Sequence, residues 1–418
     1  MEKNHNNSIK SVEHNLCTGC GACSLKCPHK CIKMTNDKEG FLVPEVDENL
    51  CSNCGTCLKV CLTSSANALF NNCEQHYACS YAKDNEMLSK SSSGGVFGIL
   101  ARFFLKNGTV YGCKYNENME AVHVRACDKQ EIIEMYGSKY VQSKAFICFP
   151  DVKDDLLAGK NVLFSGTACQ IAALKLYLEK DYENLFCVEI LCHGVPSPKL
   201  FRNYKKYLEN KLGGNIVNIQ FRNKERYGWG SEHRTCVLYE KQNILKKYRP
   251  ILPAYFSSFF YGMNLRESCY NCKFAKIERV ADITIGDFWG SWAKYHNVFK
   301  NGISVISINN GKGEFLSKII KENSGFYETL NRSEAIKSNG NFEHPVNRPY
   351  ERNSFYANSE NSYKGLWKKV YFSRTYRKKV LASVYGAFVP AKIRFFIQKV
   401  KYNIRLKLTK KKRSGEND

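Results

Sequence analysis

Eight cysteines near the amino terminus constrain this chain more than any other feature. Cys17, Cys20, Cys23 and Cys27 recur 34 residues later as Cys51, Cys54, Cys57 and Cys61. Two copies are too few for a solenoid, so the repeat reads as a small module ending near Asn72. The full chain of 418 residues carries 20 cysteines. Such a density either staples a secreted fold or ligates metal in a reducing compartment. The sequence opens MEKNHNNSIK, polar throughout, with no basic-then-apolar leader. No apolar run reaches the roughly 18 residues that a membrane-spanning helix needs. The expectation is a cytoplasmic protein whose clustered thiols are metal ligands.

The spacing narrows the metal. "CTGCGACSLKCP" is C-x₂-C-x₂-C-x₃-C-P, the iron–sulfur run of bacterial two-cluster ferredoxins. Three cysteines at two-residue gaps wrap a loop around one face of a cubane, and Gly19 and Gly21 permit the tight turns. The fourth leaves at a proline and reaches the other cluster. Cys17, Cys20 and Cys23 are therefore expected to pair with Cys61, and Cys51, Cys54 and Cys57 with Cys27. Leu62 follows Cys61 where the pattern has proline, which removes no ligand. Cys31, just past the first run, reads as a small buried hydrophobe.

Beyond the module, "SKSSSGGVFGILARFFLKNGTVYG" places Ser and Gly before Phe97, Leu100, Phe104 and Leu105 at helical spacing. "NVLFSGTACQIAALKLYLEK" reads as a buried strand, a turn and a helix. "NLFCVEILCHGVPSP" is a second apolar strand ending in a Gly/Pro loop, and "ADITIGDFWG" alternates like a strand up to Gly286. Strands alternating with helices predict an α/β (α+β) body from Cys73 to Pro345, in two parts, 73–157 and 158–345. Residues 346–418 form a basic tail. Of the net charge of +24, Lys364 to Asp418 supply 17 Lys and Arg against two acidic residues. Ile393, Phe396, Ile397, Val400 and Ile404 fall at helical spacing within it, as in a basic amphipathic helix. An anionic membrane surface at the inner face is the first partner expected for this tail and a protein the second. Nucleic acid is not expected, since no binding motif accompanies the charge.

"CYNC" at Cys269 and Cys272 supplies half of a four-ligand site. Cys169 follows a strand at a Gly-Thr turn, and Cys192 ends another strand beside His193. Strand ends in α/β folds meet along one edge. These four thiolates would suffice for a further [4Fe–4S] cluster. Zinc in the same four-cysteine site, or a redox dithiol in "CYNC", are the alternatives that spacing leaves open.

The strings "SGG" (Ser93 to Gly95), "GTACQ" (Gly166 to Gln170), "LCHGVPS" (Leu191 to Ser197), "RNKERYGWG" (Arg222 to Gly230) and "CYNC…ADITIGDFWG" occur in that order. This ordered set, spanning about Leu16 to Gly290 with the ferredoxin module, resembles the coenzyme F(420) hydrogenase/dehydrogenase beta-subunit family with a fused two-cluster ferredoxin. Ala168 stands where the family's "GTPCQ" has proline. The resemblance implies a body that binds FAD and one [4Fe–4S] cluster at Cys169, Cys192, Cys269 and Cys272. It further implies electron transfer between iron–sulfur centres and an organic acceptor, a deazaflavin in some members and a chlorophyll derivative in others. In that context Ser92, Ser93, Gly94 and Gly95 form the candidate phosphate cradle at a helix start, although such a string is elsewhere a plain capped loop. Thr167 and Gln170 are placed to touch flavin or cluster. Arg222, Lys224 and Trp229 suit an anionic, planar ligand, or else an anchored loop. Asp287 is a candidate for hydroxyl contacts or a turn cap, and His193 for a proton donor or a structural histidine.

The reading is an iron–sulfur flavoprotein oxidoreductase with three [4Fe–4S] clusters and FAD, served by a redox partner and acting on an organic substrate. By analogy that substrate is linked to cell-surface polysaccharide synthesis. The other classes are an electron-transfer subunit of a separate enzyme and a membrane-surface assembly protein whose clusters are structural.

Overall fold

The computed structural model describes residues 7–225, 228–230, 234–250, 254–291, 294–295, 301–357 and 400. Apart from Val400, the tail positions named above lie outside the described residues. Among the described residues no helix is long and apolar enough to cross a membrane.

The amino-terminal module holds α1 (Ala22–Lys26), the antiparallel hairpin β1 (Ile32–Asn36) and β2 (Leu42–Val46), α2 (Thr56–Lys59) and α3 (Leu62–Ser65). Its own apolar core is minimal: Ile9 and Ile32 pack with Cys23, Cys31 and Cys57. The body opens with β3 (His76–Ala82), α4 (Asn85–Lys90), α5 (Val96–Asn107), β4 (Gly108–Tyr115), β5 (Ala121–Ala126), α6 (Lys129–Met135) and α7 (Phe149–Leu157). Next, β6 (Asn161–Gly166) feeds α8 (Ala168–Leu178), and β7 (Leu185–Ile190) precedes α9 (Pro198–Leu212). A small antiparallel sheet of β8 (Asn215–Gln220), β9 (Cys236–Lys241) and β10 (Ile244–Tyr248) leads to α10 (Ala254–Phe260). The chain returns through β11 (Ile283–Asp287), β12 (Ser304–Ile308), α11 (Gly311–Asn323) and β13 (Ser324–Leu330).

Eight strands form one mixed sheet in the order β13-β3-β12-β11-β7-β6-β4-β5. The fold is therefore the α/β body expected, and its sheet takes strands from both sides of residue 157. Centrally β4, β6, β7 and β11 run parallel. A parallel strand covered on both faces must be apolar on both, and "VLF" in β6 is. Val162 and Phe164 point to a core with α7 and α8, while Leu163 points to the opposite core with α5 and α11. Both layers follow from the pleat.

Phe164 is fully buried, its ring 6.1 Å from that of Phe149 and stacked 5.6 Å from His123. Phe164→Ala should cost about 3–5 kcal/mol through lost burial and the cavity left behind. The measurement is a lowered midpoint of denaturant unfolding. An unchanged midpoint would contradict this account of the core.

Candidate functional site

The repeat places its cysteines around two cavities. Cys17, Cys20, Cys23 and Cys61 line one, and Cys27, Cys51, Cys54 and Cys57 line the other. These are the crossed sets expected from the spacing. In each copy the glycine between the second and third cysteines turns the chain into a helix. Gly21 (φ 74°) precedes α1 and Gly55 (φ 76°) precedes α2, a conformation open chiefly to glycine. At Gly21 a Cβ would also meet the Phe146 ring at 2.3 Å. Cys61 holds the extended backbone (φ −83°, ψ 128°) without a following proline. Leu62, in that position, is 4% exposed and packs into the α7–α8 core of the body. The departure from the pattern thus docks the module. Cys31 is buried as expected, and its Sγ lies 3.3 Å from Cys27 Sγ on the wall of the second cavity.

In the body, Cys169 sits in the first turn of α8, whose start is fixed by Gln170 Oε1 accepting from the Thr167 N–H (3.0 Å). Ala168 occupies the first helical position, where proline is tolerated but not required. Cys192 follows β7, and the Gly194 N–H points at its sulfur (3.3 Å). Cys269 and Cys272 come from a single 3₁₀ turn and its cap. The four line a cavity of about 80 Å³, which Leu16, Thr18, Leu62 and Thr63 of the amino-terminal module close from the other side. Burial pushes the Cys169 thiol up to about 12 and that of Cys269 up to about 11. Such thiols ionise only beside a strong positive centre. Among the described residues no three His, Cys, Asp or Glu close on a single ion.

A cavity of about 580 Å³, within the usual range for cofactor sites, adjoins the first. Thr167, Cys192, His193, Gly194, Val195 and Asn341 line both. Ser92, Ser93, Gly95, Gln170, Arg222 and Asp287 also face the larger one. Gly95 (φ 80°) starts α5. Gly94 lies behind the wall, where a Cβ would meet Ser80 O at 2.3 Å; its N–H donates to Ser304 Oγ (2.9 Å). Ser92 Oγ accepts from the N–H and hydroxyl of Ser138 (2.7 and 2.9 Å).

The remaining predicted residues form a buried network. Arg222 makes a two-pronged pair with Asp287 (2.9 and 3.0 Å) and lies over the Trp289 ring at 4.9 Å. Trp229 stacks on Trp289 at 4.9 Å and donates Nε1–H to Asp287 (2.8 Å). Three donors thus fix the Asp287 carboxylate. Lys224 does not line the cavity. Its ammonium donates to the carbonyls of Leu88, Ser93 and Asn301 (2.7, 2.5 and 2.5 Å) and so ties the Ser92–Gly95 loop to neighbouring segments. His193 Nδ1 lies 3.4 Å from Asn341 Oδ1, and burial lowers its pKa, which keeps the ring neutral at pH 7.

Three wall residues carried no sequence signal. His123, 3% exposed, binds Ser165 O through Nε2 (3.0 Å) and leaves Nδ1 without a partner among the described residues. Lys139 donates to the Glu134 and Tyr136 carbonyls (2.7 and 2.9 Å), and burial pushes it down to about 8. Ser138 supports Ser92. A lone His in an alternating strand and a Lys after "GS" have no informative spacing.

Residues 16–65 match the family described as a 4Fe-4S dicluster domain. Residues 159–332 match the family described as the C terminus of the coenzyme F420 hydrogenase/dehydrogenase beta subunit. The chain thus joins an amino-terminal dicluster ferredoxin domain to a carboxyl-terminal domain of the beta-subunit family, and it is an iron–sulfur protein of electron-transfer type. It is similar to a chain of the xenon-derivatised F420-reducing [NiFe] hydrogenase complex from Methanosarcina barkeri. The identity is 16%, the TM-score 0.41, and the match covers 64% of this chain and 85% of that one. No curated protein matches.

Burial pushes His123 from 6.5 down to about 4. Between those values the unfolded chain binds the proton that the folded protein refuses, so stability rises with pH there. It is fully present above about 6.5 and lost as pH falls. His123→Leu removes the titrating ring. The stability advantage of wild type over His123→Leu should therefore shrink by ~2 kcal/mol between pH 6.5 and 5 in denaturant titrations. A constant difference would mean that the ring takes up its proton equally in both states.

Proposed function

We propose that this protein is an iron–sulfur flavoprotein oxidoreductase. Three [4Fe–4S] clusters would exchange electrons with FAD in the larger cavity, and the FAD with an organic substrate. The observation that carries this reading is the shared wall: Cys192, His193 and Thr167 belong both to the ring of four cysteines and to the 580 Å³ cavity. A cluster at the four thiols and a planar cofactor in the cavity would be neighbours. Four cysteines lining one cavity are the ligand number that a cubane needs, and zinc in the same site is the alternative that metal analysis separates.

The donor set suits a dinucleotide. The start of α5, a 12-residue helix, offers backbone N–H groups beside Ser92 and Ser93 to a pyrophosphate. Phe256, Phe259 and Trp289 give the cavity flat apolar walls. When bound, flavin supplies the conversion between the single electrons of clusters and the two-electron chemistry of organic molecules. The chain's own part is to position and to move protons. Asp287, held by Arg222 and Trp229, presents a fixed acceptor. His193, neutral and half-buried beside Cys192, would relay a proton to a molecule bound in the cavity. The substrate class suggested by analogy is a sugar-linked intermediate of the cell surface, and the basic tail would hold the protein at an anionic membrane, as its sequence suggests. If the isolated chain takes up electrons but turns over no acceptor, it serves instead as the electron-transfer subunit of a separate catalytic partner.

Anaerobically reconstituted protein should carry about twelve irons, about four per cluster, and release about one FAD per chain on heating. Cys269→Ala should lose about four irons while the ferredoxin domain keeps its eight. One zinc and no iron in the body, or no flavin after reconstitution, would sink this reading and favour a structural role for the clusters.

A further inference from the structure

Arg266 has no place in the sequence motifs or in the chemistry proposed above, yet it joins the two halves of the molecule. It is 3% exposed and lines the cavity of the four body cysteines. Its Nε donates to the carbonyl of Cys17 in the ferredoxin loop (2.6 Å), and its own carbonyl accepts from the Cys269 N–H (3.0 Å). A ligand-bearing residue of one domain is thus linked to a ligand-bearing residue of the other through one side chain and two hydrogen bonds. Gln142, also buried, completes the contact. Its Oε1 accepts from Arg266 Nη1 (3.2 Å), and its Nε2 donates to Thr18 O (3.0 Å). Gly19 leaves the room: a Cβ there would lie 2.7 Å from Arg266 Nη1 and 2.9 Å from Gln142 Nε2.

Its charge is not compensated locally. Arg279, the other buried guanidinium on this cavity, is paired with the buried Glu189. Arg266 is held by carbonyl oxygens, its ring neighbour is Phe41 at 5.4 Å, and among the described residues it makes no ion pair. The cation stands on the cavity wall that the four body cysteines share. A buried positive charge is weakly screened, so it stabilises negative charge on either side.

We infer that Arg266 is the bridge for electrons between the Cys17 cluster and the body cluster, raising the reduction potentials of both above that of the cluster at Cys27, Cys51, Cys54 and Cys57. The inference rests on the three-cluster reading. The step is a one-electron transfer: one flanking cluster is oxidised as the other is reduced, and no proton or bond changes. With the guanidinium between them, the added electron is stabilised on both sides of the gap, so the step runs near balance. A cluster held by Cys27, Cys51, Cys54 and Cys57 would lie outside the contacts of this cation.

The test uses the reconstituted full chain and Arg266→Met, with Arg266→Gln as a second neutral variant and Arg266→Lys as the charge-conserving one. The readouts are iron content and a redox titration followed by electron paramagnetic resonance. Arg266→Met should keep about twelve irons. At a potential where the wild-type flanking clusters are half reduced, their reduced-to-oxidised ratio should fall about tenfold, a shift of about 59 mV for one electron. The third signal should stay in place, and Arg266→Lys should recover most of the shift. Full iron with unmoved potentials in both neutral variants would overturn the inference while leaving three clusters intact. Loss of iron in both neutral variants would overturn it in favour of a purely structural tie. Wild-type protein without body iron would fail the function reading first.

Discussion

The parallel pairing of β6, β7 and β11 is the constraint on which the rest depends. Parallel strands bring their carboxyl ends to one edge, and these three end at Gly166, Ile190 and Asp287. Cys169, Cys192 and the Arg222–Asp287 pair are therefore neighbours although they are far apart in sequence. β3 runs in the same direction, two strands beyond β11 across the antiparallel β12. Its end delivers the Ser91–Gly95 loop to the same edge, and Ala82 N–H donating to Gly94 O (2.7 Å) fastens it there. A slip of one residue in β6 would turn Phe164 out of its core and carry the Thr167 turn away from Cys192.

Docking of the ferredoxin domain is the second determinant, and burial of charge sets its character. Arg352, 3% exposed, pairs with Glu39 of the β1–β2 hairpin (3.0 and 2.7 Å) and with Glu267 (3.1 Å). Lys26 pairs with Glu179 at the end of α8 (2.6 Å), and Lys273 reaches Thr63 O (2.7 Å). Exposed pairs of this kind contribute little. Buried guanidiniums with fixed partners are different, because separation would strand a charge inside the protein. Leu62 adds an apolar anchor. A domain held by buried arginines and a buried leucine is a fixed part of the structure, unlike a carrier that swings between sites.

What could be read in the sequence was what local spacing encodes. The crossed cysteine sets, the strand–turn–helix at Cys169 and the α/β class all follow from periods of two, three and four residues. Side-chain partners across long separations left no such trace. Lys224 looked like a ligand for an anion because it stands near Arg222 and Trp229; in the fold it holds three carbonyls up to 136 residues away. Asp287 stood out in the sequence only as a candidate carboxylate or turn cap, and its pairing with Arg222, 65 residues earlier, left no trace there. Arg266 and Gln142 were passed over because their meaning lies in contacts with Cys17 and Thr18, 249 and 124 residues distant.

The order of the sites also sets a direction of access. Among the ferredoxin cysteines Cys54 is exposed, whereas Cys23 and Cys57 are buried. The Cys17 loop is pressed against Arg266, and the body cysteines lie beneath Leu16, Thr18, Leu62 and Thr63. On the function proposed, an external one-electron partner would approach at the Cys54 end, where, among the described residues, the one exposed ferredoxin thiol lies. On that function a larger organic molecule would enter by the 580 Å³ cavity, where Phe260, 41% exposed, stands on the wall. On the function proposed, one-electron and two-electron partners would use separate entrances with the buried cations between them. Such an arrangement keeps the reacting carbon chemistry away from the exposed cluster and lets both partners bind at once.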